Sequence, residues 1–156
     1  MIVGITGHQD IPEDSLESVE EGIAQTLARF IRPIGLSSLA AGADQIFAKN
    51  VLRVGGRLHV ILPCKGYEGT FSDSEALDRF RELLTRAERV EELGYDHPSE
   101  EAFFDAGRRI VDLSDVLVAV WDGHEARGKG GTADIVRYAK GKRVGVVVIW
   151  PPCVSR

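Results

Sequence analysis

Residues Asp115 to Ala139 read DVLVAVWDGHEARGKGGTADIVRYA. Val116 to Trp121 is an unbroken apolar run, the mark of a strand buried on both faces. The residues after it include Gly123, Gly128, Gly130 and Gly131, with Thr132 expected as a helix N-cap and Ala133 to Ala139 as the start of a helix. A glycine-rich turn in this setting brings unpaired backbone N–H groups and the positive end of the helix dipole to one point. That is an anion site, suited to phosphate. A plain strand-to-helix connection takes roughly 2–6 residues. This one is longer, which favours a ligand-binding loop.

Outward from that stretch, strands and helices alternate. Met1 to Thr6 is an apolar run closed by Gly7, and after the loop Gly7-His8-Gln9-Asp10, Pro12 suits a first helical turn. From Leu16, the residues Val19, Ile23, Leu27, Phe30 and Ile31 recur at helical spacing, opposite Glu13, Glu17, Glu20 and Glu21, up to Pro33. Ile34 to Leu39 is expected as strand two. Ala40 to Asp44 then turns into a helix that carries Ile46, Phe47, Val51 and Leu52 inward and stops at Gly55-Gly56. Arg57 to Leu62 forms strand three. Pro63 to Phe71 is a loop, and Ser72 with Glu75 fits a capping box.

Leu77, Phe80, Leu83 and Leu84 mark helix three. Val90 to Leu93 is a weak fourth strand, with the loop Gly94 to Pro98 behind it. Phe103, Phe104, Ile110, Val111 and Leu113 mark helix four, and Val144 to Trp150 is a sixth strand closed by Pro151-Pro152. Six strands and five helices in alternation predict an α/β, Rossmann-like three-layer domain with a mostly parallel six-stranded sheet, spanning residues 1–156 as one unit.

Bulk properties narrow the function. The chain of 156 residues carries a net charge of -5, which argues against a nucleic-acid partner bound through its phosphate backbone. The two cysteines, Cys64 and Cys153, lie far apart and show no zinc spacing, so we expect no metal and a reduced, cytoplasmic setting. MIVGITG opens directly on a strand, so no signal peptide is expected, and no apolar run is long enough for a membrane.

Ligands of such sheets bind beyond the carboxyl ends of the strands, where strand order reverses. With strand one central, the loops TGHQD, SSLAAGAD and WDGHEARGKGGT meet there. None is a GxGxxG fingerprint or a GxxxxGK[ST] loop, so no dinucleotide or other cofactor is expected.

The pair SLAAGAD and GKGGTADIVRYA resembles the SLOG superfamily of Rossmann-like domains, which includes DNA-processing protein A and the Lonely Guy phosphoribohydrolases. In strand–helix order the resemblance covers nearly the whole chain. It implies a nucleotide-derived small molecule as partner, homo-oligomers, and a phosphate received by Gly130-Gly131-Thr132. Ser38 stands where DNA-processing protein A has Gly. DLSDVLVAVWDG followed by GGTADIVRYA is also similar to nucleoside 2-deoxyribosyltransferases. Those enzymes and the Lonely Guy hydrolases carry a catalytic Glu three residues after the Thr. Here that residue is Ile135, which can be neither nucleophile nor base. Asp134, one residue earlier, is turned about 100° away on a helix.

The expected ligand-binding residues are therefore Gly7, His8, Ser38, Gly42, Asp122, Gly130, Gly131 and Thr132. Asp134 or Asp122 would supply the carboxylate if the domain were instead an N-glycosidic hydrolase or transferase. His124 sits beside Asp122 past strand five. Arg127 and Lys129 could pair with phosphate from the loop, and Arg108 and Arg109 lie near a functional Arg of Lonely Guy enzymes. Trp121 and His59 read as structural, His97 as a surface turn, and Lys65 with Tyr67 as a lid.

Overall fold

The computed structural model describes residues 1–125 and 131–150. Among them, six strands form one parallel sheet: β1 (Ile2–Gly7), β2 (Ile34–Ser37), β3 (Arg57–Cys64), β4 (Arg89–Tyr95), β5 (Val116–Val120) and β6 (Gly145–Ile149). Their order is β4-β3-β2-β1-β5-β6, with every pairing parallel. The chain builds outward from β1 to β4, then crosses back to place β5 on the other side of β1. The carboxyl ends of β1 and β5 are therefore the point where strand order reverses.

Five helices join the strands: α1 (Leu16–Leu27), α2 (Ala43–Arg53), α3 (Ser74–Thr85), α4 (Glu100–Leu113) and α5 (Thr132–Gly141). They arise from apolar residues at helical spacing, and each buries that stripe. Val19, Ile23 and Leu27 of α1 join Phe47 and Val51 of α2 against Val3, Ile5, Val118 and Val120. Ala106, Ile110 and Val111 of α4 join Ile135 and Ala139 of α5 against Leu36, Ile61 and Leu117. A third cluster seats Phe80 and Leu83 of α3 beside Leu58 and Val60 of β3. The α/β Rossmann-like architecture expected from the sequence is thus the observed one.

Several boundaries differ from expectation for local reasons. α1 stops at Leu27 rather than reaching Ile31, because Pro33 disfavours helical backbone before it and Arg32 turns the chain at φ 47°. Phe30 still packs on the core, whereas Ile31 is 92% exposed. β2 ends at Ser37, whose hydroxyl accepts from the Leu39 N–H at 2.9 Å and bends the chain so that Leu39 adopts φ 58°. The cap of α3 is Asp73, not Ser72: the Asp73 carboxylate accepts from the Glu75 N–H at 3.2 Å. β4 runs on to Tyr95, taking in two residues expected to be loop. Gly131, not Thr132, occupies the N-cap of α5, because the chain stays extended through Gly131 and turns helical at Thr132. β6 is an edge strand, so Val148 is half exposed despite its apolar neighbours.

Two glycines set how closely the elements meet at the reversal point. A Cβ on Gly7 would lie 2.5 Å from the Ala43 Cβ and 2.9 Å from the Val120 Cβ. Gly42 adopts φ 83°, and a Cβ there would meet the Gln9 and His8 carbonyl oxygens at 2.4 and 2.7 Å. With no side chain, both let α2 seat its N-terminus directly against the β1 loop, where the Ala43 N–H donates to the His8 carbonyl at 3.2 Å. Gly7→Ala should therefore destabilise the protein by about 2 kcal/mol or more through overpacking. Equilibrium urea unfolding of the variant beside the wild type measures it, and an unchanged midpoint would contradict the packing argument.

Candidate functional site

A cleft of about 540 Å3 opens at the carboxyl ends of the strands. This lies within the range of small-molecule sites, roughly 300–1,000 Å3. Gly7 and His8 from β1, Ser38 after β2, Pro63 at the end of β3, His124 after β5, and Gly131 and Thr132 at the start of α5 all line it. One side is closed by Phe103, Ala106 and Gly107 of α4, and another by Tyr67 and Thr70 of the 3-10 turn Tyr67–Thr70.

At the α5 end, the N–H groups of Asp134 and Ile135 donate to the Gly131 carbonyl at 3.1 and 3.2 Å. The N–H groups of Thr132 and Ala133 precede the first helical carbonyl they could reach, so they belong to the orphan donors of a helix start. Thr132 and Ala133 both line the cleft. Backbone donors, a hydroxyl and the helix dipole thus converge on one wall. Gly128, Lys129, Arg127 and Gly130, also named from the sequence, lie outside the described residues.

His8 is buried at the reversal point and binds the two central loops together. Its Nε2 accepts from the Asp122 N–H at 3.2 Å and lies 3.3 Å from Asp122 Oδ1. The neutral ring uses the first contact and the protonated ring the second. The Asp122 carboxylate also accepts from the His124 N–H at 3.0 Å, and the Trp121 indole donates to the His124 carbonyl at 2.8 Å. Trp150 stands edge-on to the His8 ring, 5.4 Å between centroids. Asp122 therefore backs His8 from behind, and among the described residues it is His8 that lines the cleft.

Gly42 likewise serves the α2 turn rather than the cleft lining. Asp134 points its carboxylate at Arg137, 3.1 Å away, while Ile135 lines the cleft. Ile135 is buried and fits against Gly107 of α4, where an added Cβ would fall 2.3 Å from Ile135 Cδ1. Arg108 and Arg109 are turned to the surface: Arg108 pairs with Asp105, and Arg109 grips Glu91 through two hydrogen bonds of 2.8 and 3.0 Å. His59 sits in β3 beside Glu88. Lys65 pairs with Asp96 in solvent, whereas Tyr67 is buried in the cleft wall.

One cleft residue went unremarked in the sequence. Asp44, in the first turn of α2, is only 8% exposed and lines the cleft. Burial pushes its carboxyl up to about 7, and hydrogen bonds from the Ala40 and Ser38 backbone and the Ser37 side chain offset part of that rise. Burial also raises the Tyr67 phenol, with a further push from the nearby Asp44 charge. An acid directly after a small-residue turn, as in AGAD, was the available signal. It reads equally well as an ordinary first-turn acid favoured by the helix dipole. Among the described residues, no group of three or more His, Cys, Asp or Glu could hold a metal ion, and no helix is long and apolar enough to cross a membrane.

No family model and no curated protein matches this sequence. Solved structures do share its fold. DNA processing protein A from Helicobacter pylori, studied for its single-stranded DNA binding mode, aligns with a TM-score of 0.70 at 18% identity, over 99% of this chain and 68% of that one. The Streptococcus pneumoniae DNA processing protein A aligns with a TM-score of 0.70 at 17% identity, over 98% and 51%. The molybdenum cofactor carrier protein of Chlamydomonas reinhardtii aligns with a TM-score of 0.57 at 22% identity, over 94% and 74%. The chain thus spans about half of one of these relatives and about two thirds to three quarters of the others. It shares the Rossmann-like fold of these structures.

The raised Asp44 carboxyl has a stability consequence. Between its ordinary value of 3.8 and about 7, the folded protein holds a proton that the unfolded chain has lost. Stability from this group is full below that window and falls as pH rises through about 7, with a limiting slope of about 1.4 kcal/mol per pH unit. Asp44→Asn should flatten the fall. Urea titrations of both proteins across the window measure it, and parallel pH profiles would show that Asp44 ionises normally.

Proposed function

We propose that this domain binds a phosphate-bearing, nucleotide-derived small molecule in the cleft and works as a sensor or carrier without strong catalysis of its own. One observation carries the reading. The cleft at the strand-order reversal joins the open first turn of α5, with Thr132, to a buried Ile135 at the position where the resembling hydrolases and transferases carry Glu. Phosphate would sit on the Gly131-Thr132 turn, and the rest of the ligand toward Gly7, His8 and Ser38.

Asp134 and Asp122, the remaining carboxylates for glycosidic cleavage, are occupied with Arg137 and with His8 and His124 respectively. The structural neighbours extend the set of candidate ligands to a molybdenum cofactor and to single-stranded DNA. A net charge of -5, and a cleft lined by no Lys or Arg among the described residues, weigh against the nucleic acid. The same proposal includes a cytoplasmic setting, on the two widely spaced cysteines, and a homo-oligomer, on the resemblance alone.

A thermal-shift screen over nucleoside monophosphates, ADP-ribose, cyclic dinucleotides and molybdenum cofactor tests the reading. A ligand at 100 times its dissociation constant adds about 2.7 kcal/mol of stability, a clear rise in melting temperature. Thr132→Val should weaken the binding of any hit by about tenfold or more, through loss of a hydrogen bond to a charged group. No shift with any compound at millimolar concentration would refute the proposal. Release of base from a nucleoside monophosphate, abolished by Asp134→Asn, would establish catalysis in its place.

A further inference from the structure

We propose that Asp44 reads the edge of the ligand's ring system and selects a planar heterocycle with adjacent N–H donors, the edge that guanine and pterin share. The inference rests on the proposed phosphate site, because it assigns another part of the same cleft lining, at the start of α2 rather than of α5.

Three observations converge on it. First, the Asp44 carboxyl lines the cleft yet is almost shut off from water. Its protein partners, the Ala40 N–H at 3.4 Å together with the Ser38 backbone and the Ser37 side chain, all belong to its own turn. Those donors orient the group without exhausting it, since two carboxylate oxygens offer about four acceptor positions. Second, Tyr67, whose phenol feels the Asp44 charge, and Phe103 both line the cleft, ring centroids 6.3 Å apart. Flat aromatic surface suits a planar ring better than a sugar diol. Third, the described lining includes the carboxyl side chains Asp10, Asp44 and Glu100 and neither Lys nor Arg.

This distribution orients the ligand. An ionised carboxylate repels phosphate, while the open first turn of α5 attracts it. An ionised carboxyl in this wall lacks the solvation it would have in water. Two parallel N–H donors from a ring supply that solvation, and neighbouring donors match the two carboxylate oxygens in one plane. Inosine presents only one of the two donors on that edge, and adenine lacks the ring N–H.

Isothermal titration of the wild-type protein above the Asp44 midpoint tests this with GMP, IMP, AMP, ribose 5-phosphate and unphosphorylated pterin. GMP should bind about tenfold or more tighter than IMP and AMP, as expected for a hydrogen bond to a charged group. Asp44→Asn should bring the GMP-to-IMP ratio close to one, with melting curves confirming that the variant folds. Pterin competing with GMP, or binding where GMP does not, would identify a pterin as the source of the same edge and support the assignment. Equal affinity for the three nucleotides in the wild-type protein, or a GMP preference retained in Asp44→Asn, would overturn the role of Asp44 and leave the phosphate site standing. Failure of every probe, ribose 5-phosphate included, would remove the phosphate reading and this inference together.

Discussion

No carbon atom fits between β1 and the N-terminus of α2. Gly7 meets Ala43 and Val120 so closely that an added methyl group would lie 2.5 Å from one Cβ and 2.9 Å from the other. Gly42, at φ 83°, lies just as tightly against the Gln9 and His8 carbonyls. Because this contact is tight, α2 begins directly beside the end of β1, and the Ala43 N–H reaches the His8 carbonyl. It fixes both the position of Asp44 in the cleft wall and that of His8 at its floor. A looser junction would move the carboxyl away from the strand ends and open the cleft to water.

His8 extends the constraint across the sheet. Its ring bridges to the Asp122 backbone, so the loop after β1 and the loop after β5 hold one relative position. The cleft between them is lined by the starts of two helices, α2 and α5. At α5, backbone donors precede the first helical hydrogen bond, and at α2 a buried acid stands next to aromatic rings. Ile135 lies along the same wall and packs against Gly107 where a catalytic acid would otherwise stand. A carboxylate in that slot would give up the apolar contacts of Ile135 and be buried, which is costly unless it is paired. Packing therefore accounts for an apolar residue in that slot.

Much of this was legible in the chain. The unbroken apolar runs at Val3 to Ile5 and Val116 to Val120, the helical spacing of Val19, Ile23 and Leu27, and the turn at Gly55-Gly56 each act locally and give the α/β pattern. The departure at Ile135 could also be read directly, because the interval from Thr132 is a count along one helix. Boundaries were harder to read. Arg32, Leu39 and Gly131 take backbone conformations imposed by the next residues in the chain or by tertiary packing, so α1, β2 and α5 each start or stop away from the pattern's own edge.

The sequence by itself determined the alternation of elements, the parallel sheet and the loops that carry the site, because those depend on the spacing of apolar and small residues along the chain. Only the tertiary structure decided which polar groups face the cleft. Asp122 turned out to stand behind His8, Gly42 beneath a turn and Asp134 against Arg137, while Asp44 and Tyr67 came forward from positions that looked ordinary. A side chain's direction and its distance from water are set by neighbours remote in sequence. Asp44 and Tyr67, 23 positions apart in the sequence, share a cleft wall because α2 and the Tyr67–Thr70 turn both pack at the strand ends.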